Sequence, residues 1–288
     1  MSVIKVGYLI SYDFEFVKNS LPRVYPFIDE IYFAVDIEGK TWSGEEFSIP
    51  DSFWQWVKEF DTENKITIYK DQFYVPGLMP MECDTRERNM LGKKMGKADW
   101  YIQIDSDEYF IDFEGFLANL EKLDPNVPTT VLCRVATLFK AVPGGYLLIN
   151  GETLEALSFA TNNPVYDYAR NNTSGNVSKF SEDLVVHQSW ARTPEEIRLK
   201  LNNWSHKHDF NTDSLYNLWN AVDQYNYRSL SNFHPFVNNS WPKLMYIEGD
   251  IQKILDDLQD NGIEKLTEPY KVKKKPLLSR IWKEIKAK

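Results

Sequence analysis

The sequence predicts an α/β protein with a mixed, mainly parallel sheet flanked by helices. Apolar runs typical of strands alternate with helix-like segments through the first third of the chain, which is the rhythm of a parallel sheet. The 288 residues are 43% apolar and 26% charged, which is enough for a core and ordinary for a folded domain. Disordered and fibrous classes are therefore excluded, and the net charge of −9 argues against nucleic acid as the main partner.

The first third supplies four predicted strands and the helices between them. Strands are predicted over 3–11, 30–35, 66–69 and 100–105, and helices over 14–25 and 85–95, with a further helix after Asp51 whose apolar stripe runs from Phe53 to Phe60. Asp51 is expected to cap that further helix. Because ligands bind beyond the carboxyl ends of parallel strands, the residues after Ser11, Val35 and Ile104 are expected to border one crevice.

The second half of the chain has a more mixed pattern. A helix is predicted over 112–123, strands over 130–139 and 146–149, and a short apolar run covers 184–187. Thr193 is expected to cap a further helix, with Pro194 at its first position and Glu196 closing a capping box. The predicted organisation is an α/β domain over 1–210, a C-terminal helical extension packed on it over 211–268, and a tail over 269–288.

Asp105-Ser106-Asp107 is the sharpest feature of the sequence. Two carboxylates one residue apart, where the chain leaves an apolar strand, can hold a hard divalent cation such as Mn²⁺ or Mg²⁺. A solvated acidic turn is the alternative. A calcium loop is excluded, because Phe110 and Phe116 stand where that loop has Gly and Glu. A phosphohydrolase with Asp105 as its nucleophile remains a rival.

Five segments in succession resemble the GT-A class of nucleotide-sugar glycosyltransferases, family 2-like. They are VGYLISYD, AVDIEGKTWSG, ECDTRERN, DWYIQIDSDEYF and VVHQSWARTPEEI. The resemblance implies a GT-A-like, Rossmann-like domain over 1–210 that transfers a sugar from a nucleoside diphosphate sugar, with a UDP-sugar as the expected donor. It also implies a divalent cation, Mn²⁺ or Mg²⁺, bound by Asp105, Asp107 and His187.

The same resemblance implies contacts to the donor nucleotide. Asp36 would hold the base or ribose, and Arg88 would face the nucleotide, although a turn-starting role for Asp36 and a surface salt bridge for Arg88 stay open. Neither a Rossmann glycine pattern nor a P-loop is recognised, so phosphate binding would depend on the metal and on isolated cations. The predicted nucleotide-binding residues are Ser11, Asp36, Arg88, Asp105, Trp190, Arg192 and Lys200.

An inverting transferase also needs a carboxylate that deprotonates the acceptor hydroxyl. Glu182 and Asp183 look like the acidic pair that supplies this base in many inverting relatives, although they stand closer to His187 than is usual in the class. Glu155 is the alternative base. The stereochemical outcome stays open.

The C-terminal tail, residues 269–288, is basic and amphipathic. It contains eight basic residues and one acid, which leaves 25 basic against 41 acidic residues in the rest of the chain. Its apolar residues recur at helical spacing, which is typical of a helix lying on an anionic membrane; docking on an acidic protein surface is the alternative.

The sequence shows neither a secretory signal nor an apolar run long enough to span a bilayer. We therefore expect a cytoplasmic enzyme held at the inner face of the membrane, with a lipid-linked or surface glycan as acceptor. A glycan-binding protein without catalysis on the same fold is the remaining alternative.

Overall fold

A computed structural model of the chain describes residues 2–150 and 154–262. The strands within these ranges are β1 (Ile4–Leu9), β2 (Glu30–Asp36), β3 (Ile66–Asp71), β4 (Trp100–Asp105), β5 (Glu108–Phe110), β6 (Thr129–Val142), β7 (Gly145–Asn150), β8 (Glu155–Thr161), β9 (Val177–His187) and β10 (Lys243–Glu248). The α-helices are α1 (Val17–Val24), α2 (Asp51–Phe60), α3 (Pro80–Met95), α4 (Phe113–Leu120), α5 (Pro194–Asn203), α6 (Thr212–Ala221) and α7 (Ile251–Asn261). Short 3₁₀ helices occupy Phe14–Phe16, Tyr25–Phe27 and Tyr227–Ser229.

All the strands belong to one mixed sheet. Strands β1 to β4 form its parallel part, in the order β3-β2-β1-β4. Strand β8 pairs antiparallel with β4, and β6, β7 and β10 continue the sheet beyond it. Strand β9 runs parallel to β6 and also pairs with β5. The predicted α/β fold with helices flanking a mixed sheet is confirmed, and its parallel character belongs mainly to the first four strands.

Helix α3 packs closely against the sheet and forms one wall of the candidate functional site. Gly7 in β1 faces this helix, and a Cβ there would lie 2.2 Å from Cε of Met95. Leu91 and Met95 are both buried in that contact. Because the helix approaches the strand so closely, the polar side chains of Glu87 and Arg88 one or two turns earlier also become buried.

Two helix starts differ from the sequence prediction. Helix α3 begins at Pro80, five residues before the predicted start, because Pro suits the first helical position and the Glu82 carboxylate accepts the N–H of Met79 at 2.7 Å. Helix α2 begins at Asp51 itself, with Pro50 preceding it. The prediction that Asp51 caps this helix was therefore wrong.

The region after α5 contributes more than helices. Strand β10 pairs antiparallel with β7, so the extension that the sequence predicts as helical also supplies an edge of the sheet. Helix α7 packs Ile254, Leu255 and Leu258 into a buried cluster beside it. The division of the chain at residue 210 stays a prediction.

The basic tail lies outside the described residues. No helix within 2–150 or 154–262 combines the length and the apolar character needed to cross a bilayer.

Candidate functional site

A crevice of ≈ 380 Å³ opens beyond the carboxyl ends of β1, β2 and β4. This volume falls in the range of small-molecule sites, about 300–1,000 Å³. Most of the predicted site residues line it: Ser11, Asp36, Arg88, Asp105, Asp107, Glu155, His187, Trp190 and Lys200. The structure therefore brings together residues that are far apart in the sequence, as expected for strands that end at one edge of a sheet.

The turn that carries the two aspartates is fixed from both sides. The Glu108 carboxylate accepts the backbone N–H of Asp105 at 2.8 Å and an Nη1–H of Arg170 at 2.7 Å. The Ser106 hydroxyl donates to the carbonyl of Leu9 at 3.0 Å. The turn is thereby tied to β1 on one side and to a buried ion pair on the other.

Asp107 is surrounded by basic side chains. Its Oδ2 accepts a hydrogen bond from Nη2 of Arg192 and lies 3.5 Å from Nζ of Lys200, and its Oδ1 lies 3.5 Å from Nε2 of His187. Burial acts to raise the pKa of Asp107, but the charges of Lys200, His187 and Arg192 outweigh burial and hold that pKa well below its usual range. The carboxylate is therefore ionised.

Asp107 and His187 have the separation expected of two neighbouring ligands on one cation. Ligand atoms about 2.1 Å from the same ion, at tetrahedral or octahedral angles, lie about 3.0 to 3.4 Å apart. The observed 3.5 Å between Oδ1 and Nε2 lies at the upper end of that requirement, so a small side-chain adjustment would let both atoms reach one ion.

The third predicted ligand, Asp105, takes no part in this pair. Both of its oxygens accept from Nη2 of Arg88, at 2.9 and 3.1 Å. Nowhere in the described part of the chain do three His, Cys, Asp or Glu side chains form a group that could hold a metal ion. The structure thus pairs two of the three predicted ligands, and the metal stays a prediction.

Arg88 has an unused donor in the wall of the crevice. Its Nε donates to Asp84 at 2.6 Å and its Nη2 to Asp105, but its buried Nη1 has no partner among residues 2–150 and 154–262. Burial lowers the pKa of Arg88, but Asp105 and Asp84 raise it by more, so the guanidinium stays charged. A buried donor without a partner is costly, and a bound anion or hydroxyl would satisfy it.

Asp36 organises the loops around the crevice. Its Oδ1 accepts the backbone N–H groups of Glu38 and Lys40, each at 3.0 Å, and its Oδ2 those of Phe73 and Tyr74 at 2.9 and 3.1 Å. The turn-starting role that the sequence left open is therefore the one observed. These four bonds leave less of the carboxylate for the predicted contact with a base or ribose.

Arg192 lies behind the crevice rather than in its lining. Its side chain is 0% exposed, and its Nη2 bridges Asp107 and Asp13, the latter at 3.0 Å. The guanidinium also lies 4.5 Å from the ring centroid of Phe16. The Ser11 hydroxyl donates to Asp13 at 3.1 Å and so joins the same network. Arg192 therefore holds Asp107 in place, and the structure does not bring it to the crevice surface where a nucleotide would lie.

The acidic pair predicted as the base lies away from the crevice. Glu182 pairs with Arg134 and is 72% exposed, and Asp183 accepts from Nδ2 of Asn119 at 3.0 Å. The apolar run that the sequence shows is only the end of an 11-residue strand, β9. Asp183 therefore lies four strand residues, or about 13 Å, from His187. The structure does not bring Glu182 or Asp183 to the crevice.

The alternative base, Glu155, lines the crevice. Its Oε2 accepts from the Thr137 hydroxyl at 2.8 Å and its Oε1 from Nε1 of Trp241 at 3.0 Å. Thr137 is the register partner of His187 between β6 and β9. Glu155 and His187 therefore lie on two strands that flank β6, both line the crevice, and both oxygens of Glu155 are oriented by donors.

Trp190 and Lys200 form the wall next to Asp107. Trp190 is buried, and Nζ of Lys200 lies 5.7 Å from its ring centroid. Burial lowers the pKa of Lys200, although Asp107 acts against that shift. Lys200 is thus the nearest amine to the predicted metal pair.

Sequence reasoning missed several crevice residues, among them Glu87. Its Oε2 accepts from Nε1 of Trp42 at 2.6 Å, and burial raises its pKa to about 8. A weak signal for it is present in the sequence, since Glu87 directly precedes Arg88 on a helix that faces the predicted strand ends.

Comparison with known proteins gives likenesses of fold only. No protein-family model matches the chain, and no curated protein matches it. Similar solved structures include S. aureus TarS 1-349, at 13% identity and a TM-score of 0.33, and GalNAc-T7 with UDP, GalNAc and Mn²⁺, at 10% identity and a TM-score of 0.40. The matches cover 50% and 69% of this chain but only 38% and 48% of those two chains.

A third similar structure is that of HddC from Yersinia pseudotuberculosis, with 9% identity, a TM-score of 0.34, and 65% of this chain and 93% of that chain covered. The order of the parallel strands, the Asp-Ser-Asp turn after β4 and the crevice at the strand ends agree with the GT-A-like fold that the sequence motifs indicate.

Proposed function

We propose that the protein is a metal-dependent glycosyltransferase of the hexosyltransferase type. It would move a sugar from a nucleoside diphosphate sugar, with a UDP-sugar as the donor, to a hydroxyl of a lipid-linked or surface glycan. The observation that carries the proposal is the pair of Asp107 and His187, 3.5 Å apart, in a crevice that also contains two buried cations, Arg88 and Lys200.

Cleavage of the bond between sugar and phosphate leaves negative charge on the departing diphosphate. A Mn²⁺ or Mg²⁺ ion held by Asp107 and His187 would supply Lewis-acid stabilisation of that charge. In addition to the metal, two protein side chains, Lys200 and Arg88 through its unused Nη1, would bind phosphate or ribose oxygens of the donor. Because these groups are buried, each acts in surroundings where electrostatic attraction is stronger than in water.

Glu155 would receive the proton of the acceptor hydroxyl. As the acceptor oxygen bonds to the anomeric carbon, the bond to the diphosphate breaks and the proton passes to Glu155. The hydrogen bonds from Thr137 and Trp241 orient the carboxylate for this task. General-base catalysis of this kind contributes about 10²- to 10⁴-fold in rate.

Binding of UDP with Mn²⁺ to the full-length chain tests the proposal through the melting temperature. A ligand at 100 times its Kd stabilises a folded protein by about 2.7 kcal/mol. We expect stabilisation of the wild type, loss of that effect in Asp107→Asn, and retention in Asp183→Asn, the matched control outside the crevice. Sugar nucleotides of UDP, GDP, CMP and dTDP, with and without Mn²⁺, identify the donor. No stabilisation of the wild type by any of them, or equal stabilisation of Asp107→Asn, contradicts the proposal.

We also propose that the enzyme works in the cytoplasm at the inner face of the membrane, held there by residues 269–288. The composition of the tail supports this, since basic residues contribute about 1 kcal/mol each near an anionic surface. Sedimentation with anionic liposomes should be strong for the full chain and weak for a version that ends at Pro269. Equal sedimentation of the two contradicts the membrane role of the tail.

A further inference from the structure

One side of the crevice is lined by aromatic rings that the reaction chemistry does not use. In the sheet, β8 and β6 lie on the opposite side of β4 from β1 and β2. Glu155 begins β8, so the crevice extends from Asp36 at the end of β2, past the Asp-Ser-Asp turn, to Glu155. Around Glu155 we define the aromatic wall as Trp204, His206, His234, Phe236 and Trp241.

Phe236 presents the most accessible ring of the aromatic wall. It is 40% exposed, yet its position is fixed by neighbouring rings. The ring of Phe210 stacks beside it at 5.6 Å and 23°, and that of His206 lies at 5.4 Å and 31°. Trp204 meets His206 edge-on at 5.0 Å. A large apolar ring held partly open in a crevice indicates a surface that a ligand covers.

Polar groups stand beside these rings. Nδ1 of His234 accepts the backbone N–H groups of Phe236 and Val237 at 3.3 and 2.9 Å. Since burial lowers the pKa of His234, the ring is neutral and its proton lies on Nε2, a donor. The His234 ring also lies 4.4 Å from the ring of Trp241, which donates to Glu155.

This combination of groups matches a sugar ring. A pyranose has a flat apolar C–H face and a rim of hydroxyls, so it can stack on Phe236 while the rim bonds to Glu155 and His234. An acyl chain would offer no acceptor to Nε2–H of His234, which is costly in a partly buried site.

We propose that the aromatic wall is the acceptor subsite and that it binds a saccharide ring. The inference rests on the proposed function, which places the donor sugar near Asp107 and assigns Glu155 as the base. The acceptor hydroxyl then belongs to the sugar stacked on Phe236, and the acceptor is recognised by its carbohydrate part.

Binding of the full-length chain to a printed array of oligosaccharides tests this inference, with and without UDP and Mn²⁺. We expect the wild type to bind at least one oligosaccharide and Phe236→Ala to bind it at least about tenfold less. Phe236→Tyr, which keeps the ring, should bind like the wild type. The matched control is Tyr225→Ala, which removes an 84% exposed ring outside the crevice. Failure of the wild type to bind any oligosaccharide, or unchanged binding by Phe236→Ala, overturns the inference.

A second measurement separates this inference from the proposed function. Asp107→Asn should lose stabilisation by UDP and Mn²⁺ but keep oligosaccharide binding, while Phe236→Ala should keep the UDP effect. If the wild type binds an oligosaccharide but is not stabilised by UDP and Mn²⁺, the proposed function alone is refuted. If it is stabilised by UDP and Mn²⁺ but binds no oligosaccharide, the acceptor subsite alone is refuted. Loss of the UDP effect in Phe236→Ala shows that the wall holds the nucleoside, which also overturns the inference.

Discussion

Glu87 should make the stability of this protein fall as the pH rises toward 8. Burial raises the pKa of its carboxyl from 4.5 to about 8, so the folded chain holds a proton at neutral pH that the unfolded chain releases. The stabilising contribution is therefore complete below about pH 4.5 and is lost progressively up to about pH 8. Trp42 donates to the carboxyl in this position, and an amide oxygen would accept the same bond.

The size of this effect follows from the shift. Each pH unit between the two pKa values changes the free energy of unfolding by about 1.4 kcal/mol. Glu87→Gln removes the titration while keeping the shape and the bond to Trp42. The difference in stability between variant and wild type should therefore grow by about 2–3 kcal/mol from pH 5 to pH 7, in favour of the variant.

Urea unfolding at pH 5, 6, 7 and 8 measures this difference directly. Comparing variant with wild type at each pH cancels the contributions of other titrating groups that both chains share. Glu38→Gln is the matched control, because this exposed carboxylate lies on the loop after β2. A difference between Glu87→Gln and wild type that stays constant across these pH values would refute the reasoning.

Three further variants test the ion pairs of Arg192, the proposed general base Glu155 and the cap of α5 by Thr193. Arg192→Met leaves Asp13 without its ion pair and the buried Asp107 with only Lys200 and His187, each at 3.5 Å, so unfolding should show a loss of about 3 kcal/mol; a loss below about 1 kcal/mol contradicts this role. Glu155→Gln should lower kcat for sugar transfer by about 10²-fold or more, while Asp183→Asn should stay within about twofold; the opposite ranking restores the base predicted from sequence. Thr193→Ala should cost about 1 kcal/mol in urea unfolding, because the hydroxyl accepts the N–H of Glu196 at 3.3 Å, and unchanged stability excludes that cap.

The parts of the fold that the sequence predicts are those with a strong local pattern. Strands β1, β2 and β4 are short, mainly apolar runs rich in β-branched and aromatic residues, and the capping box of Thr193 and Glu196 is a local signal that the structure confirms. Strand β8 was missed, because its sequence EALSFAT lacks regular alternation and it forms by pairing with distant β4 and β6. The first half of β9 was missed because its side chains are mostly exposed.

The site shows the same division between local pattern and distant contact. The Asp-Ser-Asp turn and His187 were singled out from the sequence, and the structure brings Asp107 and His187 together. The engagement of Asp105 by Arg88 was not foreseen, because spacing along a chain does not say which partner an oxygen faces. The resemblance favours Glu182 and Asp183 as the base, although they stand closer to His187 than is usual in the class. The structure places Glu155, and neither of those two residues, in the lining of the crevice, because β9 continues well before His187. The identity of the base stays a prediction.

The central claim is that Asp107 and His187 hold a divalent cation together with a nucleoside diphosphate. Electron paramagnetic resonance of Mn²⁺ titrated into the full-length chain with UDP measures the bound ion itself, independently of catalysis. The account predicts one tightly bound Mn²⁺ per chain for the wild type and none for Asp107→Asn or His187→Ala, with Asp183→Asn unchanged. Mn²⁺ binding of equal strength in the wild type and Asp107→Asn, or no binding in the wild type, would contradict it.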